Sequence, residues 1–211
     1  VLARSVARGQ TILKAAKQKL LSEFEDLTQN AKGLARKIGE TLRSKKEAAQ
    51  VAGRQQYEKL LDMTKQTIDW AVQTQKQLQK QSQQKAKQLA ETLNTFIPRA
   101  RQVIDQATRR VLKGEQVPAT EKIVSIFEAH TNIIRRGKEA KPVEYGHKLW
   151  LNEVEGGIVS HYRILEGNPS DEQQWQPSLK AHIQTFQHAP VQASADRGLS
   201  SDPNEKLAYD L

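Results

Sequence analysis

Val143-Glu144-Tyr145-Gly146-His147-Lys148-Leu149-Trp150-Leu151-Asn152 is the stretch that separates this chain from a plain helical protein. Val143, Tyr145, His147, Leu149 and Leu151 alternate with Glu144, Gly146, Lys148, Trp150 and Asn152, the period of two that belongs to a strand with a mainly apolar face. Glu155-Gly156-Gly157 supplies a turn, and Ile158, Ser160, Tyr162 and Ile164 then alternate with Val159, His161, Arg163 and Leu165. The two runs predict a β-hairpin. Gly167-Asn168-Pro169 ends it. Ser170 and Gln173 have the spacing of a helix capping box, and Trp175, Leu179, Ile183 and Phe186 mark one face of a helix whose first turns Pro177 should disturb. After Pro190, Val191-Gln192-Ala193-Ser194-Ala195 reads as a short strand of small residues ending at Asp196. The predicted order is hairpin, helix, strand.

Working outward, the pattern before Gly114 is helical. Leu13, Leu20, Phe24, Leu27, Leu34, Ile38 and Leu42 fall on a 3-4 spacing, and Tyr57, Leu61, Thr64, Ile68, Ala71 and Leu78 begin a second stripe. That stripe continues through Leu89, Leu93, Phe96, Ile97, Val103 and Ile104, with Pro98 expected to kink or break it. Ser44-Lys45-Lys46 and Gly53 are the expected turn between the stripes. Between Gln73 and Gln88 the stripe puts Gln75, Ser82 and Lys85 on the seam, so a solvated helix or a linker is expected there. The fold class that follows is α+β. Residues 1–114 form a helical hairpin or bundle, and residues 115–211 a second domain.

Charge divides the chain at the same place. Residues 1–114 hold 23 Lys and Arg against 10 Asp and Glu, a surplus of +13, and residues 115–211 hold 10 against 14, a balance of −4. A basic half suits a polyanion, because lysines and arginines near phosphates release condensed counterions; a solvated helical surface or an interaction coiled coil is the plainer alternative. With a mean hydropathy of −0.71 and no run near the roughly 20 apolar residues of a membrane helix, no membrane partner is expected. The chain has no cysteine, which removes disulfide frameworks and thiol catalysis and agrees with a cytoplasmic setting.

Common catalytic signatures are missing: no nucleophile elbow, no phosphate loop (Gly137-Lys138 is followed by Glu139) and no dinucleotide fingerprint. The five histidines, His130, His147, His161, His182 and His188, lack zinc spacing. What remains is Asp196, a carboxylate at an expected strand end followed by Arg197-Gly198. Such a group suits Mg²⁺, a hard ion that prefers carboxylate oxygens. An aspartate opening a turn completed by Gly198 is the plainer account of the same three residues.

Several stretches together resemble one family. They are Ile123 through Lys138 (Ile-Val-Ser-Ile-Phe-Glu-Ala-His-Thr-Asn-Ile-Ile-Arg-Arg-Gly-Lys), Val143 through Leu151, Leu165-Glu166-Gly167-Asn168-Pro169, Gln174-Trp175-Gln176-Pro177-Ser178-Leu179, and Ala193-Ser194-Ala195-Asp196-Arg197-Gly198. The chain is similar here to the DDE transposases of bacterial insertion sequences, in particular the ISNCY-like group. The likeness is dense from about Val117 to Leu207 and looser upstream, where Val103 through Val111 carries it. It departs from the group's pattern at Ala129 (usually proline), at Asn132 (usually aspartate) and at Leu199-Ser200-Ser201, where an aromatic residue commonly follows.

The resemblance implies an RNase H-like catalytic core in which three acidic residues hold two Mg²⁺ (or Mn²⁺) ions and DNA is cut and joined at transposon ends. Asp196 matches the second acid by position. The first would lie on a strand before Val1 and the third, a glutamate, on a helix after Leu211, so the chain is expected to be an internal fragment that does not catalyse alone. Metal is then expected only in the complete protein. Arg135, Arg136, Lys138, His147, Lys148 and Arg197 are the expected DNA contacts. A homodimer is a further expected partner, and no small-molecule substrate is expected. The implied location is the bacterial cytoplasm, at the nucleoid. Asp171, ahead of the helix, reads as a cap rather than a catalytic acid. The alternative function is a basic helical DNA-binding or oligomerising protein without catalysis.

Overall fold

The computed structural model describes residues 1–41, 43–44, 46–136 and 142–211. Leu42 of the first stripe, Lys45 of the expected turn and the candidate DNA contact Lys138 lie outside the described residues. The chain is α+β, with six α-helices and two small antiparallel sheets among the described residues, and it divides into two compact units, Val1–Ala129 and His130–Leu211.

The first unit is a helical bundle of α1 (Leu2–Ala15), α2 (Thr28–Thr41), α3 (Glu47–Leu78) and α4 (Gln84–Ala107). Its core joins Val6 and Leu13 of α1 to Ile68, Trp70, Ala71 and Leu78 of α3 and to Ala86, Ala90, Leu93 and Ile97 of α4. The first stripe is not one helix. α1 stops at Ala15, where Lys17 takes the left-handed conformation (φ 54°) that reverses the chain, and residues 16–27 are not helical. Leu20, Phe24 and Leu27 still pack on the core from this loop, Phe24 edge-on to Trp70 at 5.2 Å. Glutamines supply the bonds a helix would have made. The buried Gln10 donates to Ser22 O (2.8 Å) and accepts from Phe24 N (3.1 Å), and Gln77 donates to Lys19 O (2.7 Å) and accepts from Leu21 N (3.2 Å).

The second stripe also differs from expectation. Gly53 is buried inside α3 and makes no turn, while the reversal between α3 and α4 falls at residues 79–83. The seam passes through Thr74 and Leu78, resets at that turn, and resumes at Ala86 and Ala90. Ser82 and Lys85 therefore face solvent, and the glutamine-rich segment is neither a linker nor one continuous helix. α4 runs through Pro98 unbroken; Asn94, whose carbonyl loses its partner, is exposed, so water can take that bond.

Compositional change at Gly114 does not coincide with the boundary between units, which falls after Ala129. A π-helical turn (Thr108–Leu112) and Gly114, with φ 71°, reverse the chain, and residues 115–127 return along α4. Gln106 holds Ile123 by both its backbone groups (2.9 Å each), Gln102 donates to Glu121 O (3.0 Å), and Arg99 donates to Ile126 O (2.7 Å) and Phe127 O (3.1 Å). Val117 and Ile123 of this strap are buried. Arg109 sits among Glu121 (2.6 Å), Glu115 (3.1 Å) and Asp105 (3.7 Å), and the bonds to Glu121 and then Glu115 hold its pKa above the usual arginine value.

In the second unit β1 (Asn132–Arg135) pairs with β2 (Val143–Gly146), Asn132 opposite Gly146 and Arg135 opposite Val143. β3 (Lys148–Val154) pairs with β4 (Ile158–Leu165), Leu149 opposite Ile164 and Leu151 opposite Tyr162, with an irregularity at Asn152/Glu153. The predicted hairpin is present, with Gly156 and Gly157 both at positive φ in its turn. Its first strand is shorter than expected, because Gly146 at φ 150° redirects the chain and divides residues 143–154 between two sheets. α5 (Trp175–Phe186) lies against the Trp150/Asn152 face of the hairpin: Trp150 Nε1 donates to Ser178 Oγ (3.1 Å) and Asn152 Nδ2 to Ser178 O (3.1 Å). Leu149, Leu151, Tyr162 and Ile164, the more apolar face, are exposed.

Pro177 does not delay α5. It is the third helical residue, where no intrahelical N–H bond is needed. The expected capping box does not form; Gln174 instead donates its backbone N–H to Asp171 O (2.9 Å) and its amide to Ser170 O (3.3 Å). The expected strand at residues 191–195 is also absent. No neighbour pairs with it, and Val191 is fully exposed, so these small residues gain neither a ladder nor burial. A short 3₁₀ turn (Arg197–Leu199) and α6 (Asp202–Asp210) complete the unit.

Candidate functional site

Without a strand beneath it, Asp196 is held by a turn. Its carbonyl accepts the Leu199 N–H (3.0 Å), with Arg197 and Gly198 between them, while Asn204, itself buried, donates to Leu199 O (2.8 Å) and Glu172 O (3.0 Å) and fixes that turn to the start of α6. The turn expected of Asp-Arg-Gly therefore forms. The carboxylate takes no part in it: Asp196 is exposed, its side chain makes no cap bond, and among the described residues it has no hydrogen-bonding or ionic partner. Asp196 and Arg197 lie at a pocket of about 270 Å³ together with Trp175, Leu199, Ser200 and Glu205. Glu205 shares this pocket, its Oε1 accepting from Ser200 Oγ (2.7 Å).

These residues do not by themselves make a metal centre. Among the described residues no group of three or more His, Asp or Glu side chains converges as an ion's ligands would, and one of the two carboxylates here is engaged by Ser200. No catalytic step follows from this arrangement alone.

Of the expected DNA contacts only Arg197 lies at this pocket; Arg135, Arg136, His147 and Lys148 fall elsewhere, in the segment from β1 to β3, and three of these four are already engaged. Arg136 is paired with Glu144 (2.7 Å). Lys148 donates to Asp171 Oδ1 (2.8 Å) and Pro169 O (2.8 Å), so Asp171 serves as a lysine's partner and not as the expected side-chain cap. His147 stacks on His130 at 5.1 Å and shares a 3.3 Å hydrogen bond with the Asn132 amide. Arg135 and Arg197 are exposed and have no ionic partner among the described residues. None of the β1 to β3 candidates lines the Asp196 pocket.

Comparison with known proteins gives no match: no protein-family model, no curated protein and no solved structure matches the chain. Among the described residues no helix is long and apolar enough to cross a membrane.

Proposed function

We propose that this chain is part of a DDE transposase, that Asp196 is one of the three carboxylates of its divalent-metal centre, and that the 211 residues alone bind DNA without cutting it. The observation that carries the reading is the unpartnered carboxylate of Asp196 lining a pocket, downstream of a hairpin and a helix, the first two elements of the expected hairpin, helix, strand order. A turn-forming aspartate normally caps with its side chain; this one leaves both oxygens available for an ion. The reading needs two further acids from outside residues 1–211 to bind Mg²⁺ or Mn²⁺. Its partners would be transposon-end DNA and a second copy of the protein, at the nucleoid.

The test joins this chain to sequence supplying a strand that ends in aspartate before it and a helix bearing glutamate after it. In that protein Asp196→Asn should abolish Mg²⁺-dependent strand cleavage and leave DNA binding unchanged. Cleavage that survives the substitution removes Asp196 from the reaction.

The second reading, a basic helical protein that binds DNA without catalysis, is favoured by the charge of the units as they fold. Residues 1–129 hold 24 Lys and Arg against 13 Asp and Glu (+11), while residues 130–211 hold 9 against 11 (−2). The polyanion-binding character then belongs to the helical unit, and binding by the chain should be weak, indifferent to sequence and steeply reduced by salt.

A further inference from the structure

α1 runs alongside α3 with its ends in the same sense. Leu2 and Ala3 share a groove with Met63, Thr64 and Thr67, Gly9 faces Thr74, Leu78 and Leu89, and the loop after α1 is fastened at Lys19 and Leu21 by Gln77. The C-terminus of α1 therefore reaches the level of the α3–α4 turn. Two lysine groups some sixty residues apart in sequence meet at this end of the bundle: Lys14, Lys17 and Lys19 from the first, and Lys76, Lys80, Lys85 and Lys87 from the second. All are exposed. Only Lys14 has an ionic partner among the described residues, Glu23 at 3.7 Å, and the next acid on α4 is Glu91, a turn beyond Lys87.

Helix electrostatics separate these lysines into two kinds. Lys14 and Lys76 lie in the last turns of α1 and α3, where the macrodipole favours a cation, and their placement needs no other cause. Lys85 and Lys87 lie in the opening residues of α4, a helix with no acid in its first turn and no side-chain cap on Gln83. Cations there oppose the dipole and weaken the helix, so their positive charge is not explained by the fold. They crowd charge at an end that already carries five lysines. Gln79, Gln83, Gln84 and Gln88 stand among them, side chains that donate to phosphate and sugar oxygens. Among the described residues Leu21 is the one large apolar side chain exposed near this end, too little for insertion into a lipid surface.

We propose that this lysine end of the helical unit, the α1 C-terminus with the α3–α4 turn, is a docking surface for the phosphate backbone of duplex DNA. The proposal rests on the reading that the chain's partner is DNA, and adds which surface meets it. It does not depend on Asp196.

Fluorescence anisotropy of the full chain with a short duplex of arbitrary sequence, over a series of salt concentrations, tests it. Two variants of equal net charge are compared: Lys80→Gln/Lys85→Gln/Lys87→Gln at the lysine end, and Lys32→Gln/Arg36→Gln/Lys37→Gln on the exposed face of α2. Lysine, arginine and glutamine have similar helix propensities, so both variants should keep the parent's circular dichroism. The first should make the slope of log affinity against log salt shallower by about 2 to 3, since each phosphate contact contributes about 0.9; the second should leave it near the parent value. Equal effects from the two variants, or none from the first, overturn the proposal while DNA remains the partner. A parent chain that fails to bind duplex at low salt brings down the DNA reading itself. Capture by phosphatidylserine vesicles that duplex does not compete away assigns this end to lipid and overturns the proposal.

Discussion

Asp26 shows how much one side chain decides. Its Oδ1 accepts the Thr28 N–H at 2.9 Å, which starts α2 where the first apolar stripe, read as one helix, gave no reason for a new beginning. Bonds from the Thr28 side chain, then its backbone N–H, with Lys32 nearby, hold the Asp26 carboxyl below its ordinary value of 3.8. A depressed carboxyl contributes stability above its unfolded pKa and loses it as pH falls through the folded one, so α2 should fray from its N-terminus as pH drops below about 4. Asp26→Asn, which keeps the acceptor without the charge, should flatten that acid limb when helicity is followed by circular dichroism; an unchanged limb would assign it to another group. Gln10 belongs to the same scale. A buried glutamine in a helix reads in sequence as a flaw in an apolar face, yet it satisfies two backbone groups of the loop opposite.

At the scale of elements, close approach separates α1 from α2. A Cβ added at Gly9 would lie 2.5 Å from Thr74 Cγ2 and 3.0 Å from Leu78 Cδ1, and both residues are buried and unable to withdraw. Gly9→Ala should therefore destabilise by about 1–3 kcal/mol through overpacking, although alanine is the better helix former. Gly33 and Gly39 of α2 have nothing within 4 Å of that position, and there the same change should stabilise by roughly 0.5–1 kcal/mol each. Urea denaturation of the single variants reads both signs; a stabilising Gly9→Ala would refute the packing of α1 against α3. The hairpin teaches the converse. Alternation in residues 148–165 was sufficient to place two strands and their turn, but not to say which face is covered: α5 meets Trp150 and Asn152 through hydrogen bonds, and Leu149, Leu151, Tyr162 and Ile164 stay exposed.

For the molecule as a whole, residues 115–127 pack with the helices and not with the strands, so the basic helical unit extends to Ala129. A fragment of residues 1–129 should fold with the helicity of this unit, whereas 1–114, which lacks the buried Val117 and Ile123 and so leaves the helix face they cover open, should unfold at lower temperature; equal melting of the two fragments would deny the strap its role. Sequence by itself determined what is local: the α+β class, the helical stripes, the β3–β4 hairpin and most of the face of α5, with the Asp-Arg-Gly turn as the plainer of two readings for Asp196. These follow from periodicity and turn chemistry within a few residues. Tertiary structure alone decided where the first stripe breaks, how the seam resets between Leu78 and Ala86, which hairpin face is covered, and that residues 191–195 are not a strand. Each of those depends on whether a distant partner supplies hydrogen bonds and burial, which no local pattern encodes. Asp196 stands between the two: its turn was legible in three residues, and its unpartnered carboxylate only in the fold.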